Sequence, residues 1–306
     1  MSMPSPRTYS RRVALAAIFA LALTGCGGGS STQADDRAAP AADKRETLRF
    51  AVGPFLPSPE DTRSAYEPFF KAIADKVGAD YELEVSSDYA GLAVSLASGK
   101  TDLAWMGPFG YVLAADKGGA TAIATAEYDG KPIYHSIVGA PADTKVMDYP
   151  KDAKGLRMSF TETASTSGWL IPTYLLKQDD IDPKTYFDYS EGAAHPAQET
   201  AVANNKVDLA TDFDRNRNAM IDAGTITAEQ SKIVWTSPDL PNDAIAVRKD
   251  LDPKLVEELT AAVLAVKHDG KENGLLPKRY TGFVAATPDT YELIITAARD
   301  LGKIGK

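Results

Sequence analysis

A single cysteine, Cys26, and only three histidines, His135, His195 and His268, occur in 306 residues. One cysteine cannot close an intrachain disulfide, and so few soft ligands at scattered positions give no metal-binding spacing, so neither a metal nor another cofactor is expected. Basic residues are also in deficit: 33 Lys and Arg against 42 Asp and Glu leave a net charge of −9. No basic stripe is available to neutralise a phosphodiester backbone, which excludes nucleic acid as a partner. A small anion is not excluded, because local dipoles can hold one even in an acidic protein. The uninterrupted apolar run at 13–23 is shorter than the roughly 20 residues that span a bilayer, so no transmembrane helix is expected.

That run is preceded by Arg7, Arg11 and Arg12 and ends in Leu23-Thr24-Gly25-Cys26, the arrangement of a secretory signal. The ending resembles the lipobox of bacterial lipoproteins. The resemblance implies that residues 1–25 are removed, that Cys26 is acylated, and that the exported protein stays anchored to a membrane in the periplasm or at the cell surface. An unmodified cysteine in a discarded signal is the alternative. Residues 26–46 carry no large apolar side chain and cannot offset the entropy of ordering, so they are read as a flexible tether.

Beyond the tether, apolar strands alternate with amphipathic helices, which argues for an α/β fold with mainly parallel sheets. Strands are expected at 48–52, 81–85, 101–106 and 155–160, and helices at 62–77, 90–98, 169–176, 196–203, 253–266 and 289–301. Pro68 should disturb the early turns of the 62–77 helix. Lys100-Thr101-Asp102-Leu103-Ala104 is matched by Lys206-Val207-Asp208-Leu209-Ala210, a short repeat that suggests two lobes of similar build. Crossings near 136–140 and 237–243 would make one lobe of 47–138 with 242–306 and the other of 139–241.

The most informative stretch is Ser165-Thr166-Ser167-Gly168, between an expected strand and the start of an apolar helix. The first N–H groups of a helix lack intrahelical partners and carry the positive end of its dipole, so amides and hydroxyls together can bind an oxyanion without Lys or Arg. A plain N-cap would need only one of the three hydroxyls. His195, ahead of Pro196 at the next expected helix start, could donate a ring N–H to the same anion, or could be a structural partner.

The spacings together resemble those of the phosphonate-, phosphite- and phosphate-binding proteins of ABC importers, over about 48–248. The landmarks are Tyr66-Glu67-Pro68-Phe69, Asp88-Tyr89-Ala90-Gly91, Asp102-Leu103-Ala104-Trp105-Met106-Gly107, Ser165-Thr166-Ser167-Gly168-Trp169, Ala201-Val202-Ala203-Asn204-Asn205-Lys206-Val207-Asp208 and Trp235-Thr236-Ser237-Pro238. The resemblance implies a type II periplasmic-binding-protein fold whose two lobes close on the ligand, action as a monomer, and a permease subunit as partner. It implies that Ser165, Thr166, Ser167 and His195 hold the phosphorus oxygens, and that Tyr66, the segment from Trp105 to Tyr111, and Asp243 face the ligand from the other lobe. Asp243 could accept a proton from the ligand or pair with a ligand amine, or be a surface turn residue.

The sequence departs from that pattern in two places. In Asp212-Phe213-Asp214-Arg215, Arg215 stands where relatives that bind aminoethylphosphonate carry an acidic residue, and a shift of one residue would place Asp214 there instead. A cation there would repel an ammonium group. Met106 stands where an aromatic often follows the Trp, which would soften one side of the pocket. A hydrolytic triad of Ser165 or Ser167 with His195 and an Asp is the enzyme alternative, disfavoured because no Gly-x-Ser-x-Gly elbow is present; the expectation is that the chain is not an enzyme. A lipoprotein that reports ligand to a membrane partner remains open as a third class.

Overall fold

The computed structural model describes residues 46–268 and 274–305. The proposed leader, the tether and Cys26 lie outside the described residues, apart from Glu46. Among the described residues, no helix is long and apolar enough to cross a membrane.

The chain opens with β1 (Thr47–Val52), α1 (Pro59–Val77), β2 (Asp80–Val85), α2 (Tyr89–Ala97), β3 (Leu103–Met106), α3 (Pro108–Gly118) and β4 (Thr121–Tyr128). After β5 (Ile133–Tyr134) it builds a second sheet from β6 (Ser136–Ala140), β7 (Arg157–Thr161), α4 (Ile171–Gln178), α5 (Pro183–Tyr186), β8 (Asp188–Ala193), α6 (His195–Ala203), β9 (Leu209–Phe213), α7 (Asp214–Asp222) and β10 (Lys232–Thr236). It returns through β11 (Leu240–Pro241) to β12 (Ala244–Val247), α8 (Pro253–Ala265), β13 (Tyr280–Ala285) and α9 (Glu292–Asp300).

The six-stranded sheet has the order β13-β4-β12-β3-β1-β2 and the five-stranded sheet the order β10-β6-β9-β7-β8. Read from the other end, β2-β1-β3-β12-β4 and β8-β7-β9-β6-β10 are the same pattern, with β13 added at one edge. Two lobes of like topology follow, in an α/β fold. The expectation of mainly parallel sheets needs correcting, however. β1, β2 and β3 are parallel, as are β7, β8 and β9, but β4, β12 and β13 in one sheet and β6 and β10 in the other run antiparallel to their neighbours. For β6 and β12 the physical reason is the exchange of chain between lobes: they are the first sheet strands after each crossing and enter their sheets from the other lobe. The expected boundary at 138 falls inside β6, which pairs only within the five-stranded sheet.

The two crossings lie side by side, with β5 and β11 pairing antiparallel through Tyr134 with Leu240 and Ile133 with Pro241. Ser58 caps α1 by accepting from the Asp61 amide, and Gly78 ends it in the left-handed conformation at φ 71°. The helix continues through Pro68. Phe69, Phe70 and Ile73 on its inner face pack into a core with Phe50, Trp105 and Phe283. A second core gathers Met106 and Phe109 with Trp169, Leu170, Ile294 and Ala297, so α9 packs against side chains from both lobes and does not simply complete the first.

Candidate functional site

β7 delivers the chain to a turn at the lobe interface. Ser165 is extended (φ −76°, ψ 134°), and its Oγ accepts from the Gly168 amide at 3.1 Å, which makes it the N-cap of a wide π-helical turn, Thr166–Leu170, that runs directly into α4. Gly168 is required by proximity: a Cβ there would stand 2.0 Å from Thr161 Oγ1. The carbonyls of Ser167 and Gly168 accept from the Ser136 and Thr211 hydroxyls, both at 2.6 Å. The turn is therefore bolted to β6 and β9 through its carbonyls, and Ser165, Thr166 and Ser167 line the cleft.

His195 begins α6 and is buried. Its Nε2 meets Ser165 Oγ at 3.0 Å and its Nδ1 meets Asp212 Oδ1 at 2.6 Å, while Asp212 Oδ2 accepts from Asn216 Nδ2 at 2.8 Å. Glu199, one turn further along α6, is buried beside Asp212. Burial governs all three groups. It pushes the His195 imidazole down and the Asp212 carboxyl up, and together with the Asp212 charge it lifts Glu199 to about 8. Desolvation disfavours whichever form is charged, so the cluster keeps a proton on its carboxyl pair in preference to charging the imidazole.

The opposite wall comes from the six-stranded lobe. Gly107 and Gly110, at the start of α3, line the cleft with Phe55 and Tyr89. The lobes touch directly there: the Phe109 amide donates to Thr166 Oγ1 at 2.9 Å and the Tyr89 amide to Glu162 Oε1 at 3.0 Å. Asp243 accepts from Trp105 Nε1 at 3.2 Å and from the Tyr280 hydroxyl at 2.8 Å. Arg215, in the first turn of α7, reaches across to Asp243 with Nη2 to Oδ1 at 3.3 Å, and also donates to Asn242 Oδ1 at 2.5 Å and to the Tyr280 oxygen at 2.8 Å. Burial works against the guanidinium charge, but Tyr280 and Asp243 outweigh it and hold Arg215 charged.

The resulting cleft is narrow, with a cavity volume of about 30 Å³. Of the residues singled out from sequence, Ser165, Thr166, Ser167, His195, Arg215 and Asp243 line it. Asp212 does not line it but stands behind His195. Three others lie outside the lining. Tyr66 packs edge-on against Trp105 at 4.9 Å, Tyr111 lies on Tyr291 at 4.9 Å, and Met106 is buried beneath Gly110. Asp243 faces the cleft with its carboxylate engaged by Arg215, Tyr280 and Trp105. Sequence reasoning missed Phe55, Tyr89, Tyr134 and Phe213 in the lining, and Tyr280 behind Asp243. Phe213 and Tyr89 had local signals, the first lying between Asp212 and Arg215 and the second in Asp88-Tyr89-Ala90-Gly91.

Residues 51–291 match the family described as "ABC transporter, phosphonate, periplasmic substrate-binding protein". The chain is 30% identical over 264 residues to the phosphate-import protein PhnD of Mycolicibacterium smegmatis, covering 83% of this chain and 81% of that one. It is 28% identical over 198 residues to the phosphonates-binding periplasmic protein of Escherichia coli, covering 63% of this chain and 59% of that one. Among solved structures, a binding protein component of an ABC phosphonate transporter from Pseudomonas aeruginosa is 25% identical with a TM-score of 0.74, over 85% of this chain and 87% of that one. PhnD1 of Prochlorococcus marinus in complex with methylphosphonate shares the fold at a TM-score of 0.75 and 19% identity, over 85% of this chain and 99% of that one.

Proposed function

The chain belongs to the family of periplasmic substrate-binding proteins of phosphonate ABC transporters, and we propose that it captures a small phosphorus oxyanion, a phosphonate, phosphite or phosphate, between its lobes and delivers it to a permease. The observation that carries this reading is the Ser165-Thr166-Ser167 turn in the cleft wall, with Ser165 backed by His195. Hydroxyls and helix-start amides bind an oxyanion through neutral donors, which suits a buried site in an acidic protein. The paired crossings β5 and β11 would serve as the hinge between a lobe built on the six-stranded sheet and a lobe built on the five-stranded sheet, with β6 wholly in the second. Capture would be closure about that hinge and release its reopening at the permease.

Isothermal titration of the purified protein with phosphate, phosphite, methylphosphonate and 2-aminoethylphosphonate tests the reading. One or more of the four should bind, and Ser165→Ala should weaken the tightest by about 10- to 100-fold, the worth of a hydrogen bond to a charged group. No heat from any of the four would remove the phosphorus ligand from consideration.

The proposal includes no catalysis. Ser165, His195 and Asp212 are connected like a hydrolytic triad, but burial depresses the basicity of His195, and Ser165 Oγ is already engaged by the Gly168 amide as a helix cap. A general base must be able to hold the proton it removes. Acylation of Cys26 would tether the exported protein to the membrane, and an intact mass carrying a diacylglyceryl group is the measurement that decides it.

A further inference from the structure

The proposed anion turn would engage the phosphorus end of a ligand, and the rest of the molecule would meet the other wall. There Arg215 is enclosed by aromatic rings. Its Cζ stands 4.7 Å from the centroid of Tyr134, 5.4 Å from those of Tyr128 and Phe213, and 5.6 Å from that of Tyr280. These rings come from β4, β5, β9 and β13, and the Asp243 carboxylate, the Asn242 side-chain oxygen and the Tyr280 hydroxyl oxygen complete the enclosure. Several π faces around a carboxylate form the chemical description of a receptor for an organic cation. In this protein the cation is a side chain of the protein itself.

Two further facts bind this enclosure to the anion site. Tyr134, Phe213, Arg215 and Asp243 line the same cleft as Ser165, Thr166 and Ser167. Arg215 Nε is buried and has no hydrogen-bond partner among the described residues, although the neighbouring Nη atoms have several. A buried guanidinium N–H without an acceptor is costly unless a bound group supplies one.

Resting on the function proposed above, we propose that Arg215 is the specificity-determining residue: it fills the cation cage from within and restricts the site to phosphorus oxyanions that carry no cationic tail. An ω-aminoalkyl phosphonate entering the cleft would bring its ammonium to a cage that is full and whose carboxylate is already paired with a guanidinium. An untailed oxyanion meets no such obstacle and offers an acceptor close to the unspent Nε. The same side chain thus excludes one ligand class and favours the other.

The test compares methylphosphonate and 2-aminoethylphosphonate by titration calorimetry against the native protein, Arg215→Ala and Arg215→Lys. The native protein should prefer methylphosphonate by about 100-fold or more, since like-charge juxtaposition in a closed site costs several kcal/mol. Arg215→Ala empties the cage, so its preference should shift toward 2-aminoethylphosphonate by at least about tenfold. Arg215→Lys keeps a cation in the cage and should retain the native preference at reduced affinity. The native comparison and Arg215→Lys decide the matter even if Arg215→Ala does not fold. Equal or tighter binding of 2-aminoethylphosphonate by the native protein overturns the assignment while leaving the phosphorus site intact, as does a folded Arg215→Ala with an unchanged ratio. Absence of binding by any phosphorus compound overturns both.

Discussion

The Ser165 hydroxyl has one proton and two candidate acceptors, and its allegiance is set by Asp212. When Asp212 is protonated it donates to His195 Nδ1, His195 Nε2–H then donates to Ser165 Oγ, and the serine proton is free for an anion. When Asp212 is ionised, His195 turns its proton toward the carboxylate and its Nε2 accepts from Ser165, so the anion loses a donor. Burial raises the Asp212 carboxyl above its ordinary range, which keeps the donating state populated toward neutral pH. The sign follows: anion binding favours the protonated pair, so affinity falls as pH rises through neutrality. Folding stability moves the same way, because the folded state holds a proton there that the unfolded chain has released. Asp212→Asn cannot ionise. For one ligand titrated from pH 6 to pH 9, the native protein should lose about tenfold more affinity than Asp212→Asn, the ligand's own ionisation being common to both. Parallel curves would refute the relay. At this scale the hydroxyl turn and His195 were legible because their residue types name their chemistry at a helix start. Tyr134 and Tyr280 were not, since an isolated aromatic residue reads as core, and these two arrive from strands far apart in the chain.

Elements repeat where the sequence does. The Lys-Thr-Asp-Leu-Ala stretch at 100–104 and its counterpart at 206–210 become the same clasp in both lobes. Asp102 accepts from the Arg49 amide at 2.8 Å and its Nη2 at 2.6 Å; Asp208 accepts from the Arg157 amide at 2.9 Å and its Nη2 at 2.7 Å. Each clasp fixes the entry of β3 or β9 beside its parallel neighbour, β1 or β7. Their burial differs. Asp102 is nearly enclosed and also accepts from Arg248, which ties in β12, whereas Asp208 is a third exposed. Asp102→Asn should therefore cost about 2–4 kcal/mol in urea unfolding and Asp208→Asn no more than about 1 kcal/mol. Equal losses would contradict this ranking by burial. The expected helices formed because their apolar spacing and end signals agreed, and even Pro68 was absorbed within α1. Strand direction could not be read, because a strand's residues carry no record of which lobe it enters from; β4 and α7 were not anticipated at all.

Hydrogen bonds beside the cleft join the two lobes of the molecule. Glu162, from the five-stranded lobe, accepts the Tyr89 amide at the start of α2 in the other lobe, yet it is not part of the cleft lining. If capture is lobe closure, a residue of this kind sets the proportion of closed molecules before ligand arrives, and the apparent affinity scales with that proportion. Glu162→Ala should weaken ligand binding by about 3- to 10-fold, the net worth of one ordinary hydrogen bond at a half-exposed site. It should also enlarge the ligand-free radius of gyration in solution scattering while leaving the ligand-bound value unchanged. An unaltered affinity with an enlarged free form would mean that closure is not linked to capture.

The position of β12 bears on how the chain can be assembled from its N-terminus. β12 lies between β3 and β4 in the six-stranded sheet but follows the whole five-stranded lobe in sequence. Until Val247 has emerged from a ribosome or an export channel, β4 has no partner through which to join β1, β2 and β3. All five strands of the other sheet are complete by Thr236. A chain made or threaded in that direction must therefore leave its first-born sheet open longest, and its second-born sheet is the first that can close.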